Sequence, residues 1–304
     1  MDKQTKTAIL AIAVIIPISS LYVWNSDQSF VSATSDSTEI SVIVSFYPLY
    51  EFTKQVGQDK VNVSMLVPPG IEPHDWEPTI SELLRMHEAD LIVINGIGLE
   101  SWVDDIDTVN SDVIIVDTSK GISVIDYDIL EDSDHHSVDP HIWLNPVMAK
   151  TQVSNIVDAL ITIDPINEQF YRQNAESYHD KLDALDAKIK DELSGCKKDF
   201  IAFHNAFSYF SIEYGLNQHS IIDSNESNIG PTLKTLETVI NLAQTYDIDV
   251  IFTEAVDTRT SQVIANEIDA KVLVLSPIEA VGDNSNYFLK MENNLSNLKE
   301  ALCN

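Results

Sequence analysis

Residues 165–193, PINEQFYRQNAESYHDKLDALDAKIKDEL, form the stretch that decides the fold. Pro165 at the start and Gly195 just after the end are usual signals for the beginning and the end of a helix. The apolar residues between them recur at helical spacing: Ile166, Phe170, Tyr171, Tyr178, Leu182, Leu185 and Ile189. A helix of about 27 residues extends about 40 Å, which is enough to span a whole domain. The sequence therefore predicts one long, rigid helix that joins the parts of the chain on either side.

On the N-terminal side of this helix, short apolar runs rich in β-branched residues alternate with helical patterns. Strands are predicted at 39–46, 61–67, 91–95 and 113–117, and helices at 47–56, 79–88 and 146–163. The helix at 79–88 is indicated by Ile80, Leu83, Leu84 and His87, which recur at helical spacing. Alternation of strand and helix is typical of an α/β fold with a parallel sheet.

The alternation restarts on the C-terminal side. Strands are predicted at 199–203, 218–222, 250–253 and 271–275, and helices at 206–214, 232–246, 260–268 and 286–302. We therefore expect an α/β protein with two lobes, each built on a parallel sheet. The expected division is an N-terminal lobe at 39–164, the connecting helix at 165–194 and a C-terminal lobe at 195–304.

The N-terminus is the one membrane-related feature of the sequence. Lys3 and Lys6 precede an apolar run at 8–24, and a polar stretch follows at 25–38. Basic residues followed by an apolar core are typical of a secretory signal or a signal anchor. We therefore expect a protein that works outside the cytoplasmic membrane, either tethered to its outer face by this segment or released after cleavage.

Charge and cysteine content exclude several classes of function. The 304 residues carry a formal net charge of −30, the wrong sign for a nucleic-acid partner. The two cysteines, Cys196 and Cys303, form no CxxC pair, which excludes thiolate metal sites and thioredoxin chemistry. Outside the cytoplasm they are able to form one disulfide, and two free thiols are the alternative.

Three histidines lie in short, constrained settings: His74 in PPGIEPHDWEPT (68–79), His141 in DPHIWLNP (139–146) and His204 in FIAFHNAF (200–207). Proline restricts the backbone around the first two, so that a ligand there is positioned before an ion arrives. Each histidine follows a strand or an α/β connection, where open α/β sheets bind ligands. Three neutral imidazoles suit zinc, copper, nickel or cobalt, and suit magnesium and calcium poorly. Asp139 or Asn145 is placed to accept the second ring N–H of His141.

Five motifs, taken in order, carry a resemblance to a known family. They are PGIEPHDWEPT, INGIGLESWVDD, DPHIWLNP, AFHNAFSYFSIEYGL and IFTEAVDTRTSQVIANEIDAKVLVLSPIE. From about residue 39 to residue 303 the chain resembles the zinc- and manganese-binding solute-binding proteins of ABC importers, the ZnuA/TroA-like cluster A-I family. The resemblance implies two lobes joined by a long helix, with a divalent metal ion in the cleft between them. It also implies delivery of this metal to a membrane permease driven by a cytoplasmic ATPase. We expect a monomer, because this fold needs no partner chain to complete a core.

Carried over residue by residue, the resemblance assigns His74, His141 and His204 to the first three ligand positions of the family. A histidine at the third position is similar to the zinc members, whereas manganese members have glutamate there, so that Zn²⁺ is expected and Mn²⁺ is the alternative. At the fourth position the family usually has aspartate, but this chain has Ser276, which is a poor zinc ligand. Water, Glu72 or Glu279 then completes the site, or Ser276 supports it.

Further expectations concern the surroundings of this site. Glu254 matches a family position near the cleft, where we expect it to support His204 or the lobe interface without binding metal directly. The acidic stretch at 126–139 contains His135 and His136, and matches in place a histidine-rich loop of zinc members. This stretch either captures zinc weakly and passes it inward, or is a charged, solvent-exposed loop without such a role.

Two other classes of function compete with metal transport. Three histidines with an open fourth position also describe a catalytic zinc hydrolase. The sequence contains neither an HExxH nor a GxSxG motif, which makes this class the weaker one. A surface adhesin that retains the fold is the third possibility, and intact ligand histidines favour transport over it.

Overall fold

The computed structural model describes residues 39–107, 113–127, 137–222, 232–254, 259–281 and 286–303. The predicted signal or anchor segment at 1–38 lies outside these residues. From Glu39 onward the chain forms one compact unit, which contains both lobes.

The first lobe is a four-stranded parallel sheet covered by helices. Its elements are β1 (Ile40–Val44), α1 (Tyr47–Gly57), β2 (Val61–Met65), α2 (Ile80–His87), β3 (Leu91–Ile94), α3 (Val103–Asp107), β4 (Ile114–Asp117) and α4 (Pro146–Ile163). The strand order is β2-β1-β3-β4, and every pairing is parallel. All four residues of β3 are buried, as expected for a parallel sheet with helices on both faces.

A small antiparallel pair lies within the acidic stretch at 126–139. It consists of β5 (Asp126–Tyr127) and β6 (Ser137–Val138). His135 and His136, the candidates for a low-affinity capture loop, lie outside the described residues.

The second lobe repeats the topology of the first. Its elements are β7 (Asp199–His204), α6 (Ser208–Tyr214), β8 (Asn217–Ile222), α7 (Leu233–Thr245), β9 (Val250–Thr253), α8 (Arg259–Ile268), β10 (Lys271–Val274) and α9 (Tyr287–Leu302). The order β10-β9-β7-β8 is again parallel. In both lobes the second strand lies on one side of the first and the third strand on the other. The strand order therefore reverses there, which creates a crevice at the carboxyl ends of the strands.

The long helix is confirmed as α5 (Glu168–Glu192), preceded by a short 3-10 turn at Pro165–Asn167. It packs against α1 and α4 of the first lobe and α9 of the second. Its buried face consists of Tyr171, Ala175, Tyr178, Leu182, Leu185 and Ile189. Ile166 is 93% exposed, because it lies in the 3-10 turn and does not share the buried face of α5. The predicted fold, two parallel α/β lobes joined by one long helix, is confirmed.

The hydrophobic core has two parts, which meet the two faces of the second sheet. The larger part runs through the first lobe, α5 and the inner face of the second lobe. The smaller part lies on the other face of the second sheet, under α7 and α8. In β7, Phe200 and Ala202 belong to the larger part and Ile201 to the smaller, because successive side chains of a strand point to opposite faces.

The two cysteines form a disulfide, which decides between the alternatives that the sequence left open. Cys196 follows α5 and Cys303 follows α9, and the two residues are 107 positions apart. The adjoining backbone is also paired, since Lys197 donates its N–H to the carbonyl of Leu302 at 2.8 Å. The end of the second lobe is thereby attached to its beginning.

Helix α2 turns its apolar stripe outward. Thr79 and Glu82 form a capping box that begins the helix as predicted. Only Met86 is fully buried, whereas Ile80 is 79% and Leu84 63% exposed. Helical spacing predicted the helix correctly, but it does not show which neighbour covers the apolar side. Among the described residues, no helix is long and apolar enough to cross a membrane.

Candidate metal centre

Four side chains converge in the cleft between the lobes: His74, His141, His204 and Glu279. One ligand atom from each lies within 4.8 Å of all the others, and no second group of this kind occurs among the described residues. The Nε2 atom of His141 is central, at 3.2 Å from Nε2 of His74 and 3.3 Å from Nε2 of His204. The Oε1 atom of Glu279 lies 3.5 Å from the same nitrogen and 3.9 Å from Nε2 of His74.

Each lobe contributes two of these side chains, at the carboxyl side of its sheet. His74 lies in a 3-10 turn, Pro73–Asp75, in the connection that follows β2. His141 precedes another 3-10 turn, Ile142–Leu144, which leads into α4. His204 is the last residue of β7, and Glu279 follows β10. Any ion held by all four would connect the two lobes.

Asp139 supports His141. Its Oδ1 atom lies 2.8 Å from Nδ1 of His141 and also accepts the backbone N–H of His141 at 3.0 Å. Asn145, the other predicted partner, instead caps α4 by accepting the backbone N–H of Val147 at 2.9 Å. A proton on Nδ1, shared with the carboxylate, leaves the lone pair of Nε2 directed at the cluster.

Glu254 plays the corresponding part for His204. Its carboxylate lies within hydrogen-bond distance of Nδ1 of His204. Glu254 directly follows β9, and β9 is the neighbour of β7 in the second sheet, so that adjacent strand ends bring the two side chains together. Of the two roles expected for Glu254, this contact agrees with the support of His204.

Burial and neighbouring charges shift the pKa values of the cluster residues in different directions. Burial, followed by the nearby His141, lowers the pKa of His74 to about 4, so that its imidazole is neutral. Burial alone would also lower the pKa of His141, but its hydrogen bond to Asp139 and the carboxylate of Glu279, 3.5 Å from its Nε2, raise it to about 9. Burial would raise the pKa of Glu279, whereas the nearby His141 and the other two histidines hold it below the ordinary value. Without a cation, the cluster therefore retains a proton on His141.

Glu279 has a buried carboxylate oxygen that a cation would satisfy. Its side chain is only 6% exposed, and Oε1 has no hydrogen-bond partner among the described residues although it faces the imidazoles. An unsatisfied buried oxygen is costly, and a metal ion removes that cost. Three imidazole nitrogens and one carboxylate oxygen form a closed four-ligand set of the kind that zinc prefers. A zinc ion held by all four side chains would have no open coordination position, unlike a catalytic zinc ion.

The other two candidates for the fourth position occupy different places. The Oε1 atom of Glu72 lies 3.9 Å from Nε2 of His74, at the edge of a cavity of about 350 Å³ that Glu254 and Lys290 also line. Burial, and then the charges of Glu279 and Glu254, raise the pKa of Glu72. The hydroxyl of Ser276 is engaged within its own turn, where it accepts the backbone N–H of Ile278 at 3.1 Å. This hydrogen bond is compatible with the expectation that Ser276 supports the site, and the carboxylate three residues further along, Glu279, belongs to the cluster.

The tryptophans next to the motifs are packing residues, as expected for aromatic side chains in such places. Trp76 and Trp102 meet edge to face with ring centroids 5.8 Å apart. Trp143 is fully buried, and its ring centroid lies 4.6 Å from that of Phe46. Its indole N–H also donates a hydrogen bond to the carbonyl of Pro277 in the other lobe, at 2.7 Å.

Comparison with known proteins gives a consistent result. A family model described as zinc-uptake complex component A, periplasmic (ZnuA), matches residues 42–301. The high-affinity zinc uptake system protein ZnuA of Bacillus subtilis (strain 168) is 34% identical over 293 residues, which cover 89% of this chain and 90% of that protein. The matched range of the family model includes all four residues of the cluster.

Solved structures show the same similarity. The Zn(II)-bound ZnuA-like domain of Streptococcus pneumoniae AdcA has a TM-score of 0.75 and 30% identity, over 86% of this chain and 98% of that one. The laminin binding protein Lmb of Streptococcus agalactiae, described as bifunctional with adhesin and metal transporting activity, has a TM-score of 0.78 and 29% identity, over 86% and 99%.

Proposed function

Because this chain belongs to the family of the zinc-uptake complex component A, we propose that it is the zinc-capturing, solute-binding component of an ABC importer. The observation that carries the proposal is the convergence of His74, His141, His204 and Glu279, two from each lobe, within 4.8 Å. In this proposal these four side chains are the ligands, and the cation is the cargo that they hold between the lobes.

The ligand set favours zinc over manganese. Imidazole nitrogen is a good ligand for zinc, whereas manganese prefers oxygen, and three of the four donors here are nitrogen. Asp139 and Glu254 hold the rings of His141 and His204 by their Nδ1 atoms, which fixes the Nε2 lone pairs towards the cation. Glu279 supplies the single negative charge among the four donors.

The family supports a proposal about the partners and the location. We propose delivery to a permease in the cytoplasmic membrane that a cytoplasmic ATPase drives. The protein acts as a monomer at the outer face of that membrane, either tethered by the N-terminal segment or released. Support comes from the description of the family as periplasmic and from the pattern of basic and apolar residues in the first 24 positions.

Binding, and not catalysis, is the proposed activity. A zinc hydrolase needs an open coordination position for water, and Glu279 occupies the fourth corner of this cluster. Adhesion is attributed to Lmb, which resembles this chain along both lobes. Adhesion by this chain is supported only by likeness to laminin-binding neighbours of this kind, so that metal capture remains the single proposed function.

A competitive metal titration tests the proposal. The chain without its first 38 residues is titrated with Zn²⁺ against a chromophoric chelator, and then with Zn²⁺ in the presence of excess Mn²⁺. We expect one tight equivalent of zinc that manganese does not displace. Tighter binding of manganese than of zinc would overturn the assignment of the cargo.

Zinc affinity is expected to rise with pH up to about pH 9 and then to level off. Zinc must displace the proton of His141, whose pKa is raised to about 9, whereas His74, with its pKa lowered to about 4, has no proton to lose near neutrality. His141 therefore contributes roughly tenfold in affinity for each pH unit below 9. Calorimetry at pH 7 in buffers of different ionisation enthalpy should show about one proton released from this residue.

Asp139→Asn is the matched variant for this effect. Without the carboxylate, the pKa of His141 falls towards its ordinary value, so that fewer protons are released at pH 7 and the rise in affinity ends at a lower pH. The same proton release in the variant and in the wild type would contradict the assignment of the displaced proton to His141.

A further inference from the structure

The residue before Glu279 has an unusual backbone conformation. Ile278 has a φ of +64°, in the left-handed region that β-branched residues rarely adopt. It is fully buried, so that the surrounding structure must hold it in this conformation. Since φ of Ile278 helps to set the direction in which the chain continues to Glu279, this conformation decides where the Glu279 carboxylate points.

Several hydrogen bonds hold the turn in place. The hydroxyl of Ser276 accepts the backbone N–H of Ile278 at 3.1 Å. Asn294, on α9, fixes Ser276 in turn, because its Oδ1 accepts the N–H of Ser276 at 2.8 Å and its Nδ2 donates to the carbonyl of Ser276 at 2.7 Å. Asn294 is buried at 3% exposure, so that water competes little for these bonds.

The last contact comes from the first lobe. Trp143 donates its indole N–H to the carbonyl of Pro277 at 2.7 Å, and its own carbonyl accepts the hydroxyl of Tyr287 at 2.8 Å. Trp143 lies two residues after His141, and Pro277 lies two residues before Glu279. One hydrogen bond therefore connects the segments that carry two of the proposed ligands, across the boundary between the lobes.

We propose that Ser276, Asn294 and Trp143 are positioning residues, which hold Ile278 in its left-handed conformation and thereby place Glu279 as the fourth ligand. The inference rests on the proposed function and deepens it. It also gives Ser276 a role other than binding the metal. Its hydroxyl stabilises a turn by accepting the backbone N–H of the residue two positions later. Loss of this contact releases the turn and withdraws Glu279, while the three imidazoles stay in place.

Ser276→Ala is expected to weaken zinc binding by about 10- to 100-fold, the usual effect of losing a group that orients a metal ligand. Ser276→Thr keeps the hydroxyl and should restore most of the affinity. In protein loaded with Co²⁺, the visible bands of Ser276→Ala should shift towards those of Glu279→Gln, because both variants lose the carboxylate ligand. A role in stability alone would leave the spectrum of the bound Co²⁺ unchanged.

A double-mutant cycle gives the decisive comparison. If Ser276 acts through Glu279, then Ser276→Ala reduces zinc affinity in the wild type and has no further effect in Glu279→Gln. Trp143→Phe keeps the aromatic packing, removes only the indole N–H, and should show the same dependence on Glu279. Ser154→Ala is the matched control, since that hydroxyl donates to the carbonyl of Lys150 within α4, and zinc affinity should not change.

The outcomes separate this inference from the proposed function. If the wild type binds zinc tightly and Glu279→Gln weakens it, but Ser276→Ala and Trp143→Phe bind normally, the positioning role is overturned and the proposed function stands. Equal losses in both backgrounds of the cycle also overturn it, because Ser276 would then act independently of Glu279. A wild type that binds no zinc overturns both.

Discussion

His204→Ala is expected to abolish tight zinc binding while leaving the protein folded. Structural zinc sites contribute about 10–16 kcal/mol of apparent binding free energy, so that a quarter share is about 3 kcal/mol, or roughly two orders of magnitude in the dissociation constant. The loss should exceed this share, because Glu254 also loses its hydrogen-bond partner beside the cation. A competitive titration with a zinc chelator measures the change.

His219→Ala is the matched control for this variant. His219 lies on β8 of the same lobe, where its Nε2 atom is 3.0 Å from Oδ1 of Asp199 and its ring stacks on Tyr246. It is not a member of the four-residue cluster, so that zinc affinity should stay within a few-fold of the wild type. Equal losses in the two variants would mean that His204→Ala acts through the fold of the lobe. If His204→Ala still binds zinc tightly, His204 is not a ligand.

Removing the disulfide is expected to lower the free energy of unfolding of the second lobe by about 4–5 kcal/mol. The bond between Cys196 and Cys303 closes a loop of 107 positions, and a loop of about 100 residues corresponds to about 4.7 kcal/mol in the chain-entropy model. The measurement is denaturant unfolding of a Cys196→Ser/Cys303→Ser variant, followed by a probe in the second lobe.

Zinc affinity should change little in the same variant as long as it is folded. Cys196 precedes β7, whereas His204 ends that strand, so that the disulfide lies at the opposite end of the strand from the cluster. The control is the wild-type protein kept in reductant, which should unfold at the same denaturant concentration as the variant. Equal stability of the variant and the oxidised wild type would contradict the expected contribution of the disulfide.

The sequence predicted the elements well and singled out three histidines that the fold brings together, for a physical reason. Strands and helices are specified locally by periodicity and by caps, as in α2, where Thr79 and Glu82 mark the start. His204 could be placed at a strand end because the strand itself was evident. For the same reason the sequence offered only two candidates, Asp139 and Asn145, for the residue that accepts the second ring N–H of His141. The structure shows that it is Asp139.

The fourth position was the part that the sequence could not decide. Ser276, Glu72 and Glu279 are all near in sequence to parts of the site, and the choice depends on the backbone conformation of Ile278. That conformation is imposed by contacts from Asn294 and by Trp143, 134 positions before Pro277. The periodicity of a sequence carries no information about contacts between residues so far apart in the chain. The direction of the stripe on α2 and the pairing of the cysteines depend on tertiary structure in the same way.

The disulfide turns residues 196–303 into a covalent ring, and this has a consequence for survival in surroundings that contain proteases. His204 and Glu279 belong to the ring, whereas His74 and His141 do not. A single proteolytic cut anywhere between Cys196 and Cys303 opens the ring but releases no fragment. His204 and Glu279 would stay in one covalent molecule after the cut, so that a nicked protein could still present all four donors to its cargo.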